Sequence, residues 1–118
     1  MTSVVDVGEE SKASYASDDN QIRELIRIIG KWIKKEEIPK IEDKLLAKGI
    51  YTFSALQMRT NQIACFRKDK IGSTAAFKRA IQTLLDAGDI QELNSLQIQN
   101  EFGKKAKCFR IVDYERFV

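Results

Sequence analysis

Histidine is absent from this 118-residue chain, and its absence removes several classes of active site. Most zinc sites and most nucleophile–base pairs use imidazole. Two cysteines, Cys65 and Cys108, lack the close spacing of a zinc site. Carboxylate-only catalysis is not supported either, because the adjacent acids of Glu36–Glu37 and Glu42–Asp43 would point about 100° apart on a helix. We therefore expect no metal site, no cofactor and no enzymatic activity.

Long hydrophobic runs are also missing. No segment approaches the roughly 18 apolar residues of a membrane span, and the polar start Met-Thr-Ser-Val-Val-Asp does not resemble a secretory signal. We expect a cytoplasmic protein with no membrane partner. In that reducing compartment, free thiols at Cys65 and Cys108 are favoured over the alternative of a disulfide.

Charge is distributed unevenly along the chain. The formal net charge is +3, but residues 1–20 carry −4, which leaves +7 for the remainder. Residues 1–18 lack sustained periodicity and are predicted to be a flexible acidic tail. The remaining 19–118 fit a single domain of ordinary hydrophobic content. A basic domain attracts polyanions, and such association is sensitive to salt.

The clearest element is an amphipathic helix over 73–87. A core-facing stripe at helical spacing comprises Phe77, Ala80, Ile81, Leu84 and Leu85. Lys78, Arg79 and Gln82 are left pointing outward. Ser73 or Thr74 is expected to cap the first turn, and Gly88 to end the helix in the left-handed conformation.

Two helices are expected before it. The first is capped by Asp18 or Asp19, and its stripe is Ile22, Leu25, Ile26, Ile29 and Ile33. Ile28 and Trp32 widen that stripe, so this helix is either buried on more than one side or covers a partner surface. A second helix is predicted to start at Ile38–Pro39 and to end at Gly49.

Shorter elements complete the pattern. Residues 50–53 suit a small strand, and Ser54 is expected to cap a short helix after it. Residues 61–73 form a basic connector whose apolar anchors are Ile63, Phe66 and Ile71. A C-terminal β-hairpin is predicted from Ile90 and Leu93 on one strand and Phe109 and Ile111 on the other, with Leu96 and Ile98 extending the alternation.

This order of elements over residues 20–113 resembles the winged-helix superfamily. More narrowly, the segment Tyr-Thr-Phe-Ser-Ala-Leu-Gln-Met-Arg-Thr-Asn (51–61) and the segment from Ala76 to Ile90 look like the C-terminal winged-helix region of phage- and plasmid-type primase-helicases. The resemblance implies an α+β winged helix-turn-helix fold, with a helical N-terminal part, a hairpin wing and a short extra strand.

The resemblance also implies positions for DNA contacts, since the helix before the wing enters the major groove in DNA-binding winged helices. Thr74, Lys78, Arg79 and Gln82 would lie toward the bases. Phosphate contacts would come from Ser73, Lys104, Lys105 and Lys107. Flanking contacts would come from Arg59, Arg67, Lys68 and Lys70.

Three functional hypotheses follow. The first is a non-catalytic module that binds nucleic acid, and DNA in particular, in the replication or regulation of a mobile genetic element. The second is an adaptor that docks a larger replication enzyme, or a second copy of itself, through Ile28 and Trp32 on its apolar first helix. The third combines both, with a dimer presenting two basic faces to one duplex.

Overall fold

The computed structural model describes residues 18–40, 43–103 and 105–118 of the chain. Its elements in chain order are α1 (Asp19–Ile33), α2 (Asp43–Ala47), β1 (Ile50–Thr52), α3 (Phe53–Thr60), α4 (Ala64–Arg67), α5 (Ser73–Ala87), β2 (Ile90–Glu92), α6 (Ser95–Phe102) and β3 (Cys108–Ile111), followed by a 3-10 turn at Tyr114–Arg116. The strands form one antiparallel sheet in the order β1-β3-β2. The chain is therefore an α+β protein.

Helix α1 contributes its apolar face to the main core. Asp18 caps it as expected, accepting a hydrogen bond from the amide of Asn20 at 2.7 Å. Ile28 is 0% exposed and Trp32 is 3% exposed. Trp32 stacks on Tyr51 with the ring centroids 5.7 Å apart. The prediction that Ile28 and Trp32 form a partner interface is therefore wrong, because the wide apolar stripe is covered by the chain's own sheet and helices.

The sheet separates two apolar clusters. Phe109 and Ile111 point into the main core with α1 and α5, whereas Cys108 points to the opposite face. There it packs in a smaller cluster with Leu45 of α2 and Ile98 of α6. Both faces of the sheet therefore carry buried residues, although the domain is small.

Helix α6 replaces part of the predicted hairpin. β2 and β3 do pair antiparallel, with Ile90 opposite Ile111, but residues 95–102 between them are helical. Asn94 caps this helix by accepting from the amide of Gln97 at 3.0 Å, and Gly103 ends it at φ +70°. The expectation that Leu96 and Ile98 extend strand alternation was wrong, since Leu96 is exposed and Ile98 is buried.

Several predicted boundaries also shift. Residues 38–40 are not helical, and α2 begins at Asp43. Thr52, not Ser54, caps α3, because its hydroxyl accepts from the amide of Ala55 at 3.2 Å. Ile71 is 63% exposed and is not an anchor of the connector.

The C-terminus packs against α1 at a glycine. A Cβ at Gly30 would lie 2.3 Å from the carbonyl oxygen of Phe117, so only glycine permits this approach. The buried ring of Phe117 joins the main core. The last residues are thus part of the same folded unit as α1.

Three remaining expectations concern the whole chain. The predicted tail over 1–18 lies outside the described residues, except for Asp18, the cap of α1. Cys65 and Cys108 are free thiols, as expected. In the part of the chain that the structure describes, no helix combines the length and hydrophobicity of a membrane span.

Candidate nucleic-acid interface

The exposed side of α5 carries a short polar strip. Thr74, Lys78 and Gln82 follow one another at intervals of four residues, and all three are exposed. Four-residue spacing places side chains above one another on the same helix face. We call these three residues the α5 outer strip. Asp86 continues it, and the amide of Gln82 donates to the Asp86 carboxylate at 2.7 Å.

Helix α3 adds a residue to this strip that the sequence analysis missed. The side-chain amide of Gln57 donates to the hydroxyl of Thr74 at 3.1 Å. At the start of α3, the amide of Phe53 donates to the carbonyl of Lys107 at 3.1 Å. These bonds connect the α5 outer strip to α3, and α3 to the segment that precedes β3.

Arg79 does not belong to the outer strip. Its side chain is 19% exposed and forms an ion pair with Asp69, which is 11% exposed. The Gln21 amide also donates to Asp69, at 3.1 Å, and to the carbonyl of Cys65 at 3.0 Å. The prediction that Arg79 points outward toward bases is therefore wrong. Its guanidinium turns toward Asp69, which Gln21 of α1 also contacts.

The charge of Asp69 is stabilised by this arrangement. Burial raises the pKa of its carboxyl, but hydrogen bonds from Gln21, from Arg79 and from the amide of Ile71 outweigh that effect, and the net pKa is lowered. Asp69 is therefore ionised at neutral pH. It joins α1, α5 and the loop between α4 and α5.

Arg59 is likewise engaged inside the molecule. Its Nε donates to Glu37 at 2.8 Å, and the same carboxylate oxygen accepts from the indole of Trp32 at 3.0 Å. Burial raises the pKa of Glu37, whereas the bonds from Arg59 and Trp32 lower it, and lowering prevails. Arg59 thus fixes the segment after α1 against α3.

The other predicted cations are exposed. They lie at the end of α4, in the loop before α5 and in the segment before β3, as Arg67, Lys68, Lys70, Lys105 and Lys107. Helix α4 packs against α5; Arg67 is its last residue and Lys68 is its C-cap. Lys104 lies outside the described residues.

The first turn of α5 differs from expectation. Gly72 is the N-cap, at φ +125°, and it supplies no side-chain bond. Ser73 and Thr74 consequently lie inside the first turn, where Ser73 is half-buried. At the other end Gly88 adopts the left-handed conformation, at φ +78°, as predicted.

Two cavities adjoin on the opposite part of the molecule, along the outer face of the sheet. Their volumes are about 560 Å³ and about 360 Å³, and both are lined by Lys48, Gln91 and Arg110. We call this continuous depression the sheet trough. One residue of the trough can be predicted from the sequence. Arg110 lies between the apolar Phe109 and Ile111, and alternation along a strand places its side chain on the face opposite to theirs.

Burial raises the pKa of both the Cys65 and the Cys108 thiol, which keeps them protonated near neutral pH. Among the described residues, His, Cys, Asp and Glu form no cluster of three or more that could hold a metal ion.

Comparisons with protein-family models, with curated proteins and with solved structures found no match for this chain.

Proposed function

We propose that this chain is a non-catalytic winged-helix module that binds duplex DNA through the α5 outer strip. The observation that carries the proposal is the exposure of Thr74, Lys78 and Gln82 along the helix directly before β2. Replication or regulation of a mobile genetic element is the setting that the sequence resemblance implies.

The arrangement of elements supports a winged helix. A helix pair, α3 and α5, follows the first strand, and the last two strands pair antiparallel with β3 in the middle of the sheet. In winged helices the helix before the wing lies in the major groove. Here α6 occupies the connection between β2 and β3, so the proposed wing carries a helix and ends in Lys105 and Lys107.

The chemistry of the strip suits a duplex. Lys78 is a mobile point charge for a phosphate, and Gln82 can bond two atoms of a base edge. Gln57 holds the Thr74 hydroxyl, which limits the rotation of that side chain at the start of the helix. Exposed Arg67, Lys68 and Lys70 on the neighbouring segment add phosphate contacts.

A salt series of fluorescence anisotropy with a labelled duplex tests the proposal. We expect Lys78→Glu to weaken binding by about tenfold or more, and Lys78→Ala to reduce the slope of log K against log salt by about one phosphate contact. The matched control is Lys48→Glu, which makes the same charge change on the sheet trough.

Two results would contradict the proposal. One is duplex binding that Lys78→Glu leaves unchanged. The other is an equal loss from Lys48→Glu and Lys78→Glu, since that would reflect net charge alone. A single-stranded oligonucleotide of the same length, run in parallel, shows whether the duplex is preferred.

The adaptor hypothesis loses its predicted surface, because Ile28 and Trp32 are buried. A protein partner would have to dock elsewhere.

A further inference from the structure

We propose that the sheet trough is a docking site for an extended peptide segment of a partner protein, with a peptide carboxylate between Lys48 and Arg110 and an apolar side chain against Val112 and Tyr114. This inference is independent of DNA binding, because none of these four residues belongs to the α5 outer strip.

The pairing of the strands sets the floor of the trough. Ile50 on β1 and Gln91 on β2 both lie opposite Arg110 on β3. These three side chains form one row across the sheet, about 10 Å wide at the usual strand spacing. Arg110 is therefore at the centre of the depression, with a neighbouring strand on either side.

Arg110 is oriented to receive an anion. Its Nε donates to the Gln91 side chain at 3.3 Å, which steadies the guanidinium. Lys48 lines both cavities beside it. Neither cation forms an ion pair with any described residue. A planar guanidinium binds a carboxylate through two parallel hydrogen bonds, and an adjacent ammonium adds a point charge.

The two ends of the trough favour a peptide over a nucleic acid. Glu92 and Glu101 line the end next to α6, where they would repel a continuous row of phosphates. At the opposite end Val112 and Tyr114 are 55% and 51% exposed. Tyrosine and arginine are enriched among the residues that dominate binding energy at interfaces, and the ring of an exposed tyrosine offers apolar area to a peptide side chain. The trough thus matches a ligand that has one anionic and one apolar group.

Selection from a random peptide library displayed on phage, with the whole chain as bait, tests this inference. We expect the enriched sequences to share a carboxylate beside an apolar residue. Synthetic peptides of those sequences should bind at least about tenfold more weakly to Lys48→Glu and to Arg110→Glu. Lys78→Glu should bind them like the parent protein. Arg110→Gln removes the charge but keeps a polar side chain on β3. It should weaken peptide binding as Arg110→Glu does, and circular dichroism checks that the variant is folded.

Several outcomes would overturn it. They are the absence of any enriched sequence, enrichment of peptides without an acidic residue, and binding that survives Arg110→Gln. Loss of duplex affinity in Arg110→Gln would assign the trough to nucleic acid instead. A dimer in light scattering that this variant abolishes would assign it to a second copy of the chain. Failure of the Lys78 experiment alone would contradict DNA binding without affecting this proposal.

Discussion

Neighbouring cations on one helix have opposite roles in this molecule. Lys78 is exposed, whereas Arg79 turns inward to Asp69. One residue is a rotation of about 100° around a helix, which is enough to move a side chain from solvent to the interface with α1. The side-chain amide of Gln21 donates to the same Asp69 oxygen, Oδ1, that Arg79 contacts. The pair of basic letters in the sequence therefore combines a candidate contact with a structural residue.

Removal of the Asp69 carboxylate should destabilise the fold. We expect Asp69→Ala to lower the free energy of unfolding by about 2 kcal/mol at neutral pH, because hydrogen bonds to a partly buried charge are lost and Arg79 is left without this ion pair. Urea denaturation measures the change. Lys78→Ala, one residue from Arg79, is the matched control and should change the free energy by less than about 0.5 kcal/mol.

The free-energy difference between the parent protein and Asp69→Ala should also depend on pH, in a direction set by the lowered pKa of Asp69. The folded-state pKa of Asp69 is lowered, so its stabilisation is complete above the ordinary carboxyl value and is lost as the pH falls through the lower folded value. The difference between the parent protein and Asp69→Ala should therefore shrink in acid, below about pH 4. A difference that is constant with pH would contradict the assignment.

Among the helices, α1 and α5 could be predicted from the sequence, whereas α6 could not. Long periodic segments were predictable: α1 and α5 have the expected stripes, Asp18 caps α1 and Gly88 ends α5. The N-cap of α5 was not predicted, because Gly72 takes that position instead of Ser73 or Thr74. The short segment 95–102 was not, because Leu96 and Ile98 fit strand alternation while Asn94 and Gly103 mark helix ends. Local capping and the second cluster around Cys108 decided the conformation.

Helix α6 predicts unequal effects for two apolar residues that a strand would place on one face. Ile98 is 3% exposed and Leu96 is 64% exposed. Ile98→Ala should lower the free energy of unfolding by about 2–3 kcal/mol through the cavity that it leaves, whereas Leu96→Ala should change it by less than about 0.5 kcal/mol. Thermal or urea denaturation of the two variants compares them. Equal losses would favour the strand.

The candidate site could be predicted only in part. Helical spacing alone identified Lys78 and Gln82 as outward residues, and they are exposed. Arg59 and Arg79 were misplaced because their partners, Glu37 and Asp69, are distant in sequence and are brought near only by the tertiary fold. Gln57 was missed for the same reason, since its contact with Thr74 crosses two helices.

Across the whole molecule, most arginines that form ion pairs do so within the fold, whereas most lysines are exposed and unpaired among the described residues. Most ion pairs of the described residues use arginine, at positions 27, 59, 79 and 116. Among lysines only Lys34 is paired there, with Glu36. The exposed charge is therefore mostly ammonium, which suits phosphates more than base edges. We accordingly expect duplex binding that depends strongly on salt and weakly on sequence.

The two proposed surfaces share no residue and differ in their charged groups. The α5 outer strip carries one lysine among neutral polar groups, and the sheet trough carries Lys48 and Arg110 between acidic and apolar ends. Variants at one surface should leave binding at the other unchanged.

Amide chemical-shift mapping by nuclear magnetic resonance, with an unlabelled duplex titrated into the isotopically labelled chain, locates the DNA-binding surface residue by residue. We predict that the largest shift changes fall on the first three turns of α5, around Thr74, Lys78 and Gln82, and extend to Lys105 and Lys107. Shift changes that are confined to Lys48, Gln91 and Arg110, or that leave α5 unaffected at saturation, would contradict duplex binding through the α5 outer strip.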